Sequence, residues 1–297
     1  SPDIRLPDAA ETAPPMVPTP NRCGVERPDV SALTGIDGLT IDADGTIYYN
    51  HMLDGWEMVG RVRPGGAAPE PKFVPVVKGA TPWGIAVDSA RRRLYAASAG
   101  SSTIFVIDLK AVVPSATPLL TAPPMRPNDL ALAANGDVYY TDQSDSQIYR
   151  IDGAGTRHVV TPSPVGNDLA AKPSALAFGP TGDLFVGAGG WGNILRITLS
   201  NGVEGRRQIF GAFVGWANGF AFDERGRLYI SLYDNTMLSD VVRLDPSGNE
   251  EEVLATEGRF SSVAFGRGAL PCSDLFVADL SGGLRRLTVD SVGLRVP

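Results

Sequence analysis

The sequence predicts an all-β chain folded as a six-bladed β-propeller, and three observations carry that prediction. One phrase recurs six times, its copies are spaced at 46, 45, 46, 44 and 43 residues, and no segment has the length and periodicity of an amphipathic helix. A repeat period of roughly 40 to 50 residues is the mark of stacked or radial architectures. The phrase is an apolar alternation, a turn that usually carries Asp or Asn with Gly, and a second alternation rich in Tyr and Phe. Its copies are GLTIDADGTIYYN (38–50), GIAVDSARRRLYAAS (84–98), DLALAANGDVYYTD (129–142), ALAFGPTGDLFVGA (175–188), GFAFDERGRLYISL (219–232) and SVAFGRGALPCSDLFVAD (262–279), aligned on Leu39, Ile85, Leu130, Leu176, Phe220 and Val263.

Within each copy the two alternating runs flank a turn, which is the pattern of a β-hairpin. A third run follows in every copy: VGRVR, IFVID, IYRID, ILRIT, VVRLD and LRRLT. A weaker fourth run follows in five: KFVPVV, ATPLL, RHVVT, RQIFG and EEVLA. Four antiparallel strands per repeat argue for propeller blades over a six-repeat solenoid. The sixth blade lacks an obvious fourth run, so the segment from about Val25 to Leu33 is expected to supply it and close the ring. The propeller then occupies residues 23–297.

The first 22 residues hold six prolines with Ser, Thr and Ala and show no periodicity, so they read as a flexible linker. The two cysteines, Cys23 and Cys272, have no neighbours at metal-ligand spacing. Cys23 precedes the closing strand and Cys272 sits in the first turn of the same blade, on the face away from the strand starts. A disulfide between them is therefore expected. Linker and cysteine pair together suggest an exported protein, extracellular or periplasmic, tethered through the linker if anchored at all.

A formal net charge of −7 and a sequence pI near 4.9 argue against a nucleic-acid partner. The Arg91 to Arg93 and Arg206–Arg207 clusters fall in or beside turns, where solvated charge is ordinary. No apolar run approaches the roughly 18 residues that a membrane-spanning helix needs. The expected partner is a small molecule, and the expected state is a monomer.

In a propeller the first strand of each blade lines the central channel, and the residues that open those strands share one face. They are Asp37, Trp83, Asn128, Ser174, Asn218 and Ser261. Converging side-chain oxygens suit a hard cation such as Ca²⁺, which takes roughly six to eight oxygen ligands. The same residue types also cap turns and bond the backbone, so both readings stand. On the same face the loops carry His51, Trp56, Trp191, Tyr233 and Asp234, which with Trp83 would rim an acidic, aromatic mouth for a ligand. Asp142 and Asp279 lie there too. No GxSxG elbow is present and only His51 and His158 could serve as a base, so serine catalysis is not supported. Nor does a glycine-rich phosphate loop open a helix.

RPNDLALAANGDVYYTD (126–142) and ANGFAFDERGRLYIS (217–231) resemble the PN-[DG]-[LF]-A and DG-x-[LF]-[YW] phrases of the regucalcin and gluconolactonase family, and SVAFG with LFVADLSGGLRRL reads similarly. The resemblance spans roughly residues 30 to 290. It implies a six-bladed propeller related to diisopropyl-fluorophosphatase and paraoxonase, with a divalent cation, usually Ca²⁺, held by a Glu, two Asn and an Asp. Carried over, Asp37 replaces the Glu, Asn128 matches an Asn, Ser174 stands for the second Asn and Asn218 for the Asp. The GEGP phrase of the family is here GIDG. The activity implied is hydrolysis of a lactone or related ester, the metal polarising the carbonyl and a carboxylate, Asp37, Asp142 or Asp279, activating water. A non-enzymatic binding propeller and a strictosidine-synthase-like condensing enzyme are the alternatives.

Overall fold

Six antiparallel sheets follow one another along the chain in a computed structural model that describes residues 23–30, 33–66, 68–169, 171–190, 192–213, 215–233 and 239–294. The linker expected over 1–22 lies outside the described residues. Blade one is β1 (Ile36–Ile41), β2 (Ile47–Leu53), β3 (Trp56–Val62) and β4 (Glu70–Lys78). Blade two is β5 (Pro82–Asp88), β6 (Arg93–Ser98), β7 (Thr103–Asp108) and β8 (Ala116–Thr121). Blade three is β9 (Pro127–Leu132), β10 (Val138–Asp142), β11 (Gln147–Ile151) and the short β12 (Arg157–Val159). A single turn of helix, α1 (Gly166–Leu169), leads to blade four: β13 (Lys172–Phe178), β14 (Leu184–Gly189), β15 (Gly192–Ser200) and β16 (Val203–Phe213). Blade five is β17 (Trp216–Phe222), β18 (Leu228–Tyr233), β19 (Ser239–Leu244) and β20 (Glu250–Gly258), and blade six is β21 (Phe260–Phe265), β22 (Asp274–Asp279) and β23 (Gly283–Thr288). Each first strand packs against the first strand of the next blade, and β21 packs back against β1, which closes the ring.

The core is divided into six seams, one between each pair of neighbouring blades. This follows from the period of two along a strand, which sends successive side chains to opposite faces of a blade. Tyr48 joins the seam between blades one and two, whereas Tyr49 joins the seam between six and one. Tyr139 and Tyr140 divide in the same way between the two seams of blade three. Where Tyr49 crosses its partner strand the opposing residue is Gly60, and a Cβ there would lie 2.3 Å from the Tyr49 ring.

Blade six differs from expectation. Its sheet has three strands, and residues 23–30 form no strand of it. Cys23 makes one parallel bridge to Gly268, and the amides of Gly24 and Glu26 donate to the carbonyls of Leu270 and Ala269. Leu33 is buried in the seam with Leu284, its carbonyl against Gly283. The described residues of the segment thus lie at the β21–β22 connection, where Cys23 to Glu26 are held, and at the β22–β23 turn, where Leu33 sits, and form no ladder. Pro28 has no amide hydrogen to donate, and Val25 faces solvent, so the segment lacks both the donors and the alternation of a strand. The expected disulfide does form: Cys23 and Cys272 are bonded, with Cα atoms 5.3 Å apart. No helix among the described residues is long and apolar enough to cross a membrane.

Candidate functional site

Every inner strand carries an irregularity of register at the same place. The pairing shifts between Ile36 and Leu39, Pro82 and Ile85, Pro127 and Leu130, Pro173 and Leu176, Ala217 and Gly219, and Phe260 and Ser262. In each case the inner strand runs one residue longer than its partner, which is the geometry of a β-bulge, a device that re-aims side chains beside sites. The residues inside these bulges include all six strand openers, Asp37, Trp83, Asn128, Ser174, Asn218 and Ser261. All six line an axial cavity of about 430 Å³. The sequence phase that selected them is therefore a structural phase.

Close approach of neighbouring inner strands holds the bulges. A Cβ on Gly38 would lie 2.5 Å from the Trp83 carbonyl oxygen, and one on Gly84 would lie 2.7 Å from that of Asn128. Side chains stitch the same level from blade to blade. The Asn50 amide donates to the Trp83 carbonyl at 2.5 Å, and Thr141 Oγ1 donates to the Ser174 carbonyl at 2.9 Å. Ser174 Oγ donates to the Ala217 carbonyl at 2.5 Å, and Ser261 Oγ donates to that of Asp37 at 2.6 Å. The two serine hydroxyls thus bond backbone, as serines at turns do. Asp37, Asn128 and Asn218 are the openers with side-chain oxygens that form no hydrogen bond among the described residues.

Three carboxyls surround this level. Asp37 is half-buried, and loss of bulk water with the charge of Asp129 pushes it up to about 7. Asp129 also rises to about 7 by burial, although its oxygens accept the amides of Leu130 and Leu176, each at 2.8 Å. Glu57 on β3 is fully buried, and neither of its oxygens has a hydrogen bond of good geometry. Burial pushes it up to about 7, with the Ser98 hydroxyl opposing the rise and Asp37 adding to it. Sequence reading missed Asp129 and Glu57.

Glu57 gives a stability prediction with a definite sign. A carboxyl raised in the fold favours folding fully below its ordinary pKa, and that contribution is lost as pH climbs through the raised value. A rise from 4.5 to about 7 corresponds to a loss of about 3 kcal/mol on the alkaline side. Glu57→Gln is expected to stabilise the protein at about pH 8 and change it little at about pH 5. Urea unfolding at the two pH values checks this, and an equal shift at both would show that packing, not charge, is responsible.

Of the loop residues expected at the mouth, Trp83 and Tyr233 line the cavity. Trp216 joins them, its ring 6.1 Å from that of Tyr233, and the Arg126 guanidinium stands 5.7 Å above Trp83. Gln143, Arg259 and Leu280 complete the rim. Trp216 and Arg259 each precede a strand opener by two residues, a phase that could have revealed them. Trp191 and Asp234 lie outside the described residues.

Four expected residues are elsewhere. His51 belongs to β2, is buried against Tyr49 with ring centroids 5.3 Å apart, and donates from Nε2 to the Pro71 carbonyl at 2.8 Å. Trp56 opens β3 and is exposed off the cavity. Asp142 and Asp279 end β10 and β22 and are buried in matching turns. Asp142 accepts from the amide and hydroxyl of Ser144 and faces Arg157, while Asp279 accepts from Ser281 and Arg285. These bonds hold Asp279 below the usual carboxylate range against the opposing effect of burial. Neither carboxylate lines the cavity.

Among the described residues no group of three or more His, Cys, Asp or Glu side chains is placed to hold a metal ion. The donors at the cavity are of another kind: two carboxyls, Asp37 and Asp129, the second already accepting two backbone amides, and the side-chain amides of Asn128 and Asn218. All can present oxygen, and burial raises the carboxyls of both Asp37 and Asp129. That chemistry fits a hard cation such as Ca²⁺, with water completing the shell. The hydroxyl proton of Ser174 is already engaged.

The family model described as SMP-30/Gluconolactonase/LRE-like region matches residues 66–279. Solved structures show the same fold. A gluconolactonase from Xanthomonas campestris is 23% identical with a TM-score of 0.69, the match covering 87% of each chain. A calcium-binding protein, regucalcin, from Agrobacterium tumefaciens is 17% identical with a TM-score of 0.70, covering 93% of this chain and 98% of that one. A virginiamycin B lyase from Staphylococcus aureus is 15% identical with a TM-score of 0.61, covering 88% and 97%. No curated protein sequence matches the chain.

Proposed function

Because the chain belongs to the SMP-30/gluconolactonase/LRE-like family, we propose that it is a calcium-dependent hydrolase of lactones or related esters, working in the axial cavity. The observation that carries the reading is the isolation of Asp37. It is the carboxylate that faces the cavity with no hydrogen bond from the protein, at the level where Asn128 and Asn218 present their amides. Asp37, Asn128 and Asn218 would hold Ca²⁺, with Ser174 behind them contributing at most a lone pair. When bound, Ca²⁺ supplies a Lewis acid that polarises the ester carbonyl.

The chain's own residues do the rest. Asp37 would accept the proton of the attacking water through the oxygen not turned to the metal, a role that asks for a carboxylate within reach of the cavity and free of hydrogen bonds from the protein. Asp129 is held still by two backbone amides and keeps the field at this level negative. Trp83, Trp216 and Tyr233 wall the mouth, exclude water and orient a small ring. The Cys23–Cys272 disulfide supports a place in an oxidising compartment, outside the cell or in a periplasm.

The test combines binding and turnover. Millimolar Ca²⁺ is expected to raise the melting temperature and to support hydrolysis of gluconolactone, and a chelator to remove both effects. Asn128→Ala is expected to weaken the calcium response about tenfold or more, since it removes a neutral ligand that no neighbour replaces. If calcium leaves the melting temperature unchanged and lactones are hydrolysed only at the background rate, the calcium-dependent hydrolase reading is overturned.

A further inference from the structure

Arg259 lies between β20 and β21, two residues before Ser261, and lines the Asp37 end of the cavity. Among the described residues, the lining holds two basic side chains, Arg259 at this end and Arg267 at the other. The backbone of Arg259 is clamped from both sides by the β22–β23 turn. Its amide donates to Asp279 Oδ1 at 3.2 Å, and its carbonyl accepts the amide of Leu280 at 3.0 Å.

The guanidinium is not clamped. It makes no ion pair or hydrogen bond among the described residues, and its Nε is buried without a partner. The nearby carboxylate that could pair with it, Asp279, is already taken: Arg285 donates to it from Nε at 2.9 Å and approaches with Nη2 at 2.8 Å, and Ser281 donates twice. A buried donor without an acceptor is costly, and a guanidinium matches a carboxylate through two parallel bonds. Elsewhere in the chain guanidiniums largely withdrawn from water find acids: Arg207 pairs with Glu204 and Asp168, and Arg227 with Asp223 and Asp290.

We infer that Arg259 is an anion anchor for the substrate, and that the site takes a lactone or ester carrying a carboxylate. This rests on the hydrolase reading of the cavity. The carboxylate lies against Arg259 at the rim, between the walls of Trp216 and Tyr233, and the ester is directed inward to Asp37. The anchor also opposes the repulsion that Asp37, Asp129 and a net charge of −7 exert on an anionic ligand.

The test compares two related lactones, glucaric acid monolactone, which carries a carboxylate, and gluconolactone, which does not. Binding is read from quenching of tryptophan fluorescence, because Trp83 and Trp216 line the cavity and report occupancy without turnover. The wild-type protein is expected to prefer the carboxylated lactone about tenfold, Arg259→Gln to abolish that preference, and Arg259→Lys to restore part of it, since a point charge remains but the planar fork is lost. Equal affinities in the wild type, no binding of the carboxylated lactone, or a preference that survives Arg259→Gln overturns the anchor. Turnover is scored separately. Charge discrimination without hydrolysis would retire the hydrolase reading and keep the anchor, and hydrolysis without discrimination would do the reverse.

Discussion

Replacing Cys23 and Cys272 together by serine is expected to lower the unfolding free energy by about 5 kcal/mol in the chain-entropy picture, most of what a domain has in reserve. The bond closes a loop with a sequence separation of 249, so its absence frees nearly the whole unfolded chain. The loss also has a native-state component. Blade six lacks the ladder of a fourth strand among the described residues, and the contacts of residues 23–30 with it include one bridge, at Gly268, two backbone bonds, to Leu270 and Ala269, and the Arg27–Asp274 ion pair at 3.6 Å. Without the disulfide these contacts must hold the segment that leads to Leu33 and Ile36 in the seam between blades six and one. Urea unfolding of the double variant, compared with the oxidised parent, measures the effect. A loss below about 1 kcal/mol would show that the seam closes the ring unaided.

The blade phrase was legible because each strand feeds two seams, which forces apolar residues into the first three strands of every blade. Outer strands feed no such pair, and their traces are correspondingly faint: β12 is three residues long, and blade six has three strands. Topology predicts a closing strand over 25–33, but Pro28 and an exposed Val25 keep the described residues 25–30 from forming a ladder. The cysteine pair survived that correction because both residues sit at the β21–β22 connection whether or not a strand follows Cys23.

At the site, phase was legible and direction was not. The six openers stood out by position, yet the bulge that turns them inward is a property of paired registers and is invisible in one strand. The sequence alone places His51 and Trp56 in a loop, but β2 runs to Leu53 and β3 begins at Trp56, which leaves only Asp54 and Gly55 for the turn. His51 is consequently a strand residue packed inside its blade. Asp142 and Asp279 each precede a serine by two residues, and that spacing closes a turn and consumes the carboxylate. Asp129 and Glu57 escaped notice because their environment is built by neighbouring blades: Leu176 of blade four holds one, and Ser98 of blade two lies beside the other.

Asp37→Asn is expected to move activity and stability in opposite directions. The variant keeps the size of the side chain and an oxygen donor but removes the acceptor for the proton of water, and a missing general base costs about a hundredfold or more in kcat. It also removes a negative charge from a level that already holds the carboxyl of Asp129. Desolvation and the neighbouring Asp129 both disfavour the ionised Asp37, so neutralising it should raise the melting temperature of the calcium-free protein by a few degrees. With calcium added the order is expected to reverse, because the parent gains a charged ligand interaction that the amide only partly reproduces. Melting curves of both proteins with and without calcium, together with kcat for a lactone, separate these terms. An Asp37→Asn variant that is less stable than the parent without calcium would mean that Asp37 is a structural partner of the ring, and one that retains full kcat would move the proton acceptor to another group. Asp37 is thus a residue that burial destabilises and that the proposed chemistry uses, as expected where a fold holds a destabilised group for function.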